Sequence, residues 1–108
     1  IDALFSVCEP NTAGTLKALE EAGQTGKIVF IGFDPNERIV QALAENKVQG
    51  LVLQDPVRMG YLAVKAMIQH LNGQQVEKRI STGEVVATPE NINEPSIKSL
   101  LAPIQFHD

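Results

Sequence analysis

Three short apolar runs in this sequence each end on side chains able to make directional hydrogen bonds. Cys8 and Glu9 follow the run Ala3–Val7, Asp34 follows Lys27–Phe33, and Gln54 closes Val48–Gln54. An ionised aspartate accepts from two neighbouring hydroxyls, whereas a glutamine amide both accepts and donates. Asp34 and Gln54 together therefore suit a polyol, whose hydroxyls do both. Catalytic chemistry finds less support. Glu9 and Asp34 are a pair of carboxylates, but acid–base catalysis needs them held at a reacting bond, and no feature of the sequence does that. A Cys8 nucleophile needs a histidine base, yet His70 falls late in a helical segment and His107 in the tail, so Cys8 reads as a half-buried small hydrophobe. A lone cysteine forms no internal disulfide and lacks the Cys and His company of a zinc site. Neither G-x-G-x-x-G nor G-x-x-x-x-G-K-[ST] occurs, which removes the dinucleotide and nucleoside-triphosphate fingerprints. The expectation is binding without catalysis, with no metal and no cofactor.

The segments that must position these residues alternate between strand-length apolar runs and helix-period stretches. Pro10–Ala22 reads as a helix with Ala13, Leu16 and Leu19 inward and Gly23 as its stop. Lys27–Phe33 is apolar on both faces, which fits a parallel strand covered by helices. Asn36–Glu45 forms the next helix, with a stripe of Ile39, Val40, Leu43 and Ala44. After the third run, Asp55 and Pro56 start a helix, because the carboxylate accepts first-turn N–H groups and proline fills a position whose N–H is unpaired anyway. That helix extends to about Asn72, with Met59, Ala63, Ala66, Met67 and Leu71 as its apolar set and Gly73 as its end. Met59, Met67 and Phe33 are expected in the core. Residues 79–88 read as a last strand broken at Gly83, and Pro95–Leu101 as one or two helical turns before an irregular tail.

The order is β-α-β-α-β-α-β, an α/β chain forming part of a doubly wound, flavodoxin-like parallel sheet whose right-handed crossovers set helices on its faces. Ligands of such sheets bind outside the carboxyl ends of the strands, where Cys8, Glu9, Asp34 and Gln54 fall. Two plainer roles compete there. Asp34 could cap the helix begun by Pro35 and Asn36, and Glu9 before Pro10 could simply start its helix. Gln54 has less of a structural role to fill, since Asp55 supplies the cap.

Composition narrows the partners. The 108 residues carry 13 acidic and 9 basic side chains, a formal net charge of −4, with no block of Lys or Arg. Nucleic acid and anionic membrane surfaces are thus not expected partners. With 44% hydrophobic residues the chain has material for one real core, and no apolar run approaches the ~18 residues of a membrane span. The sequence opens at Ile1 without an initiating methionine, so the absence of a targeting segment carries no weight.

Four stretches carry a resemblance: VCEPNTAGTLKALEEAG, IGFDPNE, GLVLQDPVRMGYLAVKAM and ISTGEVVATPENI, in that order along nearly the whole chain. Together they resemble the C-terminal portion of type I periplasmic binding proteins, the ribose-binding-protein-like group that feeds sugar ABC transporters. The resemblance implies two similar α/β lobes joined by crossing segments and closing over a small ligand. It also implies that Asp34 of GFD and Gln54 before Asp-Pro bond ligand hydroxyls, with Gln54 at a hinge. Where the family has an asparagine, this chain has Cys8, a weak donor and acceptor, which implies a changed ligand or a contact taken over by Glu9 or Asn11. On the same mapping, residues 1–53 belong to the second lobe, 54–82 to crossing segments and a helix of the first lobe, and 83–108 to the return and tail. The chain then corresponds to a C-terminal fragment, with a sugar or polyol as ligand, a membrane permease as partner, and a periplasmic or otherwise extracytoplasmic location.

Two further functions fit the pattern. One is the effector-binding core of a lactose-repressor-family transcriptional regulator, cytoplasmic and joined to a helix-turn-helix domain outside these residues. The other is a stand-alone flavodoxin-like enzyme or signalling domain, for which no cofactor or phosphoacceptor fingerprint is present. The ISTGEVVATPEN ending is more similar to the transporter group.

Overall fold

Four strands form the frame. In the structure, a computed structural model that describes residues 1–102, β1 (Ala3–Phe5), β2 (Val29–Phe33), β3 (Gly50–Gln54) and β4 (Glu84–Ala87) lie side by side in chain order. β1 and β2 pair in parallel, as do β2 and β3, with Leu4 opposite Phe30 and Gly32 opposite Leu51. The α/β class and parallel-dominated sheet match the sequence reading. Between the strands run α1 (Glu9–Glu21), α2 (Glu37–Ala44) and α3 (Pro56–Leu71), and α4 (Pro95–Leu101) follows β4. The chain divides into two compact units, one of Ile1–Leu53 with the residues from Val85 onward, the other of Gln54–Glu84.

In the first unit, period-two alternation sends Leu4, Phe30, Leu51 and Leu53 into one core with Leu16 and Leu19 of α1, Ile39, Ala42 and Leu43 of α2, and Ile97 and Leu101 of α4. Phe30, Leu16, Ile39, Leu43, Leu51 and Leu53 are fully buried there, each contributing roughly 1.5–3 kcal/mol. Parallel strands taken in sequential order by right-handed crossovers place successive helices on the same face, and α1 and α2 pack against each other accordingly. The opposite face is more open: Phe5 is 59% and Val29 50% exposed, while Ile31, Phe33 and Val52 are half-buried. β2 is apolar on both faces, as its sequence shows, but the helices of this unit cover one of them. Phe33, expected in the core, instead sets its ring edge-on to Phe5 at 6.5 Å on the open face.

Helix ends follow local chemistry. Asn36 caps α2 by accepting from the Ile39 N–H at 2.8 Å, and Asp55 caps α3 by accepting from the Arg58 N–H at 2.9 Å. At the other ends Gly23, Asn46 and Gly73 all adopt left-handed φ, between 57° and 74°, and the next residue's N–H returns to a carbonyl five positions back. Gly23 and Gly73 were legible stops. Asn46, which tolerates the same conformation, ends α2 without a glycine.

The second unit corrects the expected core. None of the residues of α3 is buried, and Met59 and Met67 are 36% and 64% exposed. Leu62, Ala66 and Gln69 are half-buried along a groove shared with Gln75, Val76 and Ile80. Val57, Tyr61, Val64, Ile68 and Leu71, spaced i, i+4, i+7, i+11, i+14, form a stripe more than half exposed at every position. The helix is apolar over so much of its circumference that periodicity does not select one stripe. The last strand is also shorter than expected, beginning at Glu84 because Gly83 turns the chain at φ 80°. Among the described residues no helix is long and apolar enough to cross a membrane. The expected irregular tail and His107 lie outside the described residues.

Gly32 is required by a neighbour rather than by a turn. A Cβ there would lie 2.5 Å from Cγ2 of the fully buried Thr12. Gly32→Ala should therefore cost ~1–3 kcal/mol in chemical denaturation, and most of that cost should vanish in a Thr12→Ser background, which removes the clashing methyl. Additive effects would refute the contact. Asn36→Ala should cost ~1 kcal/mol by the same measurement, since it strips α2 of its cap.

Candidate functional site

The candidate residues lie where the first two strands hand over to helices. Cys8 is the N-cap residue of α1, half-buried and extended at φ −163°, and its side chain caps nothing. Pro10 fills the first turn as expected, and Glu9 is already helical, one residue earlier than the sequence reading placed the start. Glu9 does more than start the helix: its Oε1 accepts from Asn36 Nδ2, so the α1 start is tied to the loop between β2 and α2. A carboxylate in the first turn also complements the helix dipole.

Asp34 follows β2 directly and is half-buried. Its φ is 62°, and apart from Asn46 no other described non-glycine residue has positive φ. Aspartate is among the few side chains that enter this region readily. The backbone N–H of Asp34 still donates to the Val52 carbonyl at 2.9 Å, which continues the β2–β3 ladder one residue past the strand. Because Asn36 supplies the α2 cap, capping does not account for Asp34.

A buried hydroxyl joins these two strand ends. β1 stops at Phe5, with the Ser6 N–H donating to the Ile31 carbonyl at 3.1 Å, so the β1-side backbone groups of Phe33 have no strand beside them. Thr12 Oγ1, one turn into α1, occupies that place. It accepts from the Phe33 N–H at 2.9 Å and lies 3.0 Å from the Phe33 carbonyl, 2.9 Å from the Cys8 carbonyl and 2.8 Å from Ser6 Oγ. One donor shared between two carbonyls and two acceptor positions use the full capacity of a hydroxyl. Among the described residues no buried side-chain nitrogen or oxygen lacks a partner.

Cys8, Glu9 and Asp34 thus gather around Thr12 and Asn36. Asn11 does not join them: exposed on α1, it lines an edge groove with Phe5, Ser6, Val7 and Gly14. Gln54 is the last residue of β3 and half-buried, and it begins the second unit. Sequence reasoning missed Thr12 and Asn36. The available signal for Thr12 was Gly32, since a glycine inside a strand marks close approach of another group. His70 sits exposed in the last turn of α3, as expected. Among the described residues no group of three His, Cys, Asp or Glu side chains could hold a metal ion.

Comparison with known proteins gives this geometry its relatives. The periplasmic binding protein domain matches residues 1–75. The ribose import binding protein RbsB of Bacillus subtilis is 33% identical over 81 residues, 75% of this chain and 26% of that protein. A solute-binding protein of an ABC transporter from Agrobacterium vitis, solved with bound D-fucose, superposes with a TM-score of 0.82 at 34% identity, covering 94% of this chain and 35% of its own. A second Agrobacterium vitis solute-binding protein, solved with α-D-tagatopyranose, reaches a TM-score of 0.86 at 25% identity over 96% of this chain and 35% of its own. The chain spans about a quarter of the curated relative's length. With the family match covering its first three strands and helices, the chain belongs to the periplasmic binding proteins.

Proposed function

We propose that this chain supplies part of the ligand cleft of a sugar or polyol import protein, with Asp34 and Gln54 as hydrogen-bonding residues. The observation that carries the reading is Asp34. It stands at the carboxyl end of a central parallel strand in a left-handed conformation, while a different residue caps the helix that follows. Non-glycine residues with left-handed φ are concentrated at ligand clamps and active sites. Relatives that import ribose or were solved with D-fucose and tagatopyranose support a sugar as ligand. They also favour transport over the effector core of a lactose-repressor-family regulator.

Residues 1–53 belong to one lobe, 54–82 carry crossing segments and a helix of the other lobe, and 83–108 return to the first of these. The exposed stripe of α3 supports this division, because Val57, Tyr61, Val64, Ile68 and Leu71 leave one continuous apolar seam of the helix uncovered. The protein delivers its ligand to the permease of an ABC transporter, outside the cytoplasm, and performs no catalysis. Cys8 and Glu9 border the site, and Asn11 contributes if the ligand extends toward the edge of β1.

A two-lobed clamp desolvates its ligand only on closure, and hydrogen bonds in a wet, half-open site are worth far less. This chain alone should bind sugars no better than ~1 mM, about −4 kcal/mol, whereas the full-length protein should reach micromolar affinity. In the full-length protein Asp34→Ala should cost ~1.5–3 kcal/mol by removing a charged acceptor from buried hydroxyls. Calorimetry against pentoses, hexoses and inositols tests all of this. Micromolar binding by the chain alone would contradict the clamp, and an unchanged affinity for Asp34→Ala would remove that residue from the site. Cys8→Asn should shift the preference among those sugars without unfolding the protein.

A further inference from the structure

Thr12 is fully buried, so its side chain faces no solvent-filled cleft, yet its hydroxyl is the junction of three backbone segments. It contacts Ser6 after β1, the Cys8 carbonyl before α1, and both backbone polar groups of Phe33, the residue preceding Asp34. Gly32, two residues before Asp34, leaves the space that the Thr12 methyl fills. The side chain is therefore clamped on both its polar and its apolar branch.

We infer that Thr12 is a positioning residue for ligand recognition: its hydroxyl fixes the β2 end from which Asp34 departs and the N-cap of α1 at Cys8. This inference rests on the reading of Asp34 as a ligand-binding residue. The physical case is a gap in the ladder. Beyond Phe5 the first strand no longer runs beside β2, so a Phe33 N–H without Thr12 would seek water and take Asp34 with it. Removing the Thr12 hydroxyl deletes the β1-side support of this strand end and weakens its hold, leaving the Asp34 N–H on the Val52 carbonyl and the contact between Asn36 and Glu9. Small displacements of a recognition side chain weaken binding steeply.

Two substitutions separate hydroxyl from methyl. Thr12→Val keeps the shape and removes the hydrogen bonds, whereas Thr12→Ser keeps the hydroxyl and removes the methyl. In the full-length protein carrying this chain, titrated with the sugar that the wild type binds best, Thr12→Val should lose about tenfold in affinity and Thr12→Ser less than about twofold. Leu19→Ala, a core change remote from the strand ends, reports what loss of stability alone does, and should leave affinity within about twofold. Equal losses in Thr12→Val and Leu19→Ala would reduce Thr12 to a structural residue, and an unchanged Thr12→Val affinity would overturn the inference. Amide hydrogen exchange supplies a readout independent of ligand. The Phe33 and Asp34 N–H groups should exchange at least about tenfold faster in Thr12→Val while Leu51 keeps its protection. If the wild type binds none of the sugars, the ligand reading falls and exchange alone decides the positioning. Unchanged exchange at Asp34 would then sink it.

Discussion

Parallel strands of unequal length leave backbone groups that some other atom must satisfy. β2 runs past the end of β1, and the Phe33 N–H and carbonyl on that side face no strand. An unpaired buried amide costs about as much as a lost hydrogen bond with a desolvated donor, ~1–3 kcal/mol. Thr12 meets that requirement with one hydroxyl, and the same contact dictates glycine at position 32 and draws the start of α1 against the end of β2. A comparable device opens β3, where Gln49 Oε1 accepts from the Phe30 N–H at 2.7 Å. In both places a side chain completes a ladder that the backbone leaves short.

The consequence for recognition is that the loop bearing Asp34 is held from several directions. The β3 side holds it through the Asp34 N–H, the β1 side through Thr12, and the following helix through Asn36, which also binds Glu9. A residue with left-handed φ persists only where its surroundings over-determine it. Preorganisation of this kind removes part of the ordering cost of binding, so that a carboxylate on a loop behaves as though it stood on a rigid element.

Layering in the first unit follows from strand order. Sequential parallel strands with right-handed crossovers stack α1 and α2 on one face, so the core lies there and the other face keeps Phe5 and Val29 exposed. In the second unit α3 has its cap and its helical stop yet buries none of its own residues. Local signals suffice to form that helix, while the exposure of its apolar stripe is something local signals do not explain.

The sequence by itself determined the elements and most of their ends. Apolar runs, Pro56 after Asp55, and Gly23 and Gly73 are local in cause, because propensity, capping and φ preference act within a few residues. The same apolar runs placed Asp34 and Gln54 at strand ends, and the four motifs pointed to the family. Tertiary structure decided the rest. Whether Asp34 or Asn36 caps α2 depended on which oxygen reaches the Ile39 N–H, a matter of backbone φ at Asp34 that no spacing fixes. Whether Met59 and Met67 are buried depended on what lies against α3, since hydrophobicity makes burial favourable without supplying the surface to bury against. Thr12 looked like an ordinary helix residue because its partners, Ser6 and Phe33, come from the turn after β1 and from the end of β2, and only the parallel alignment of those strands leaves the gap that its hydroxyl fills.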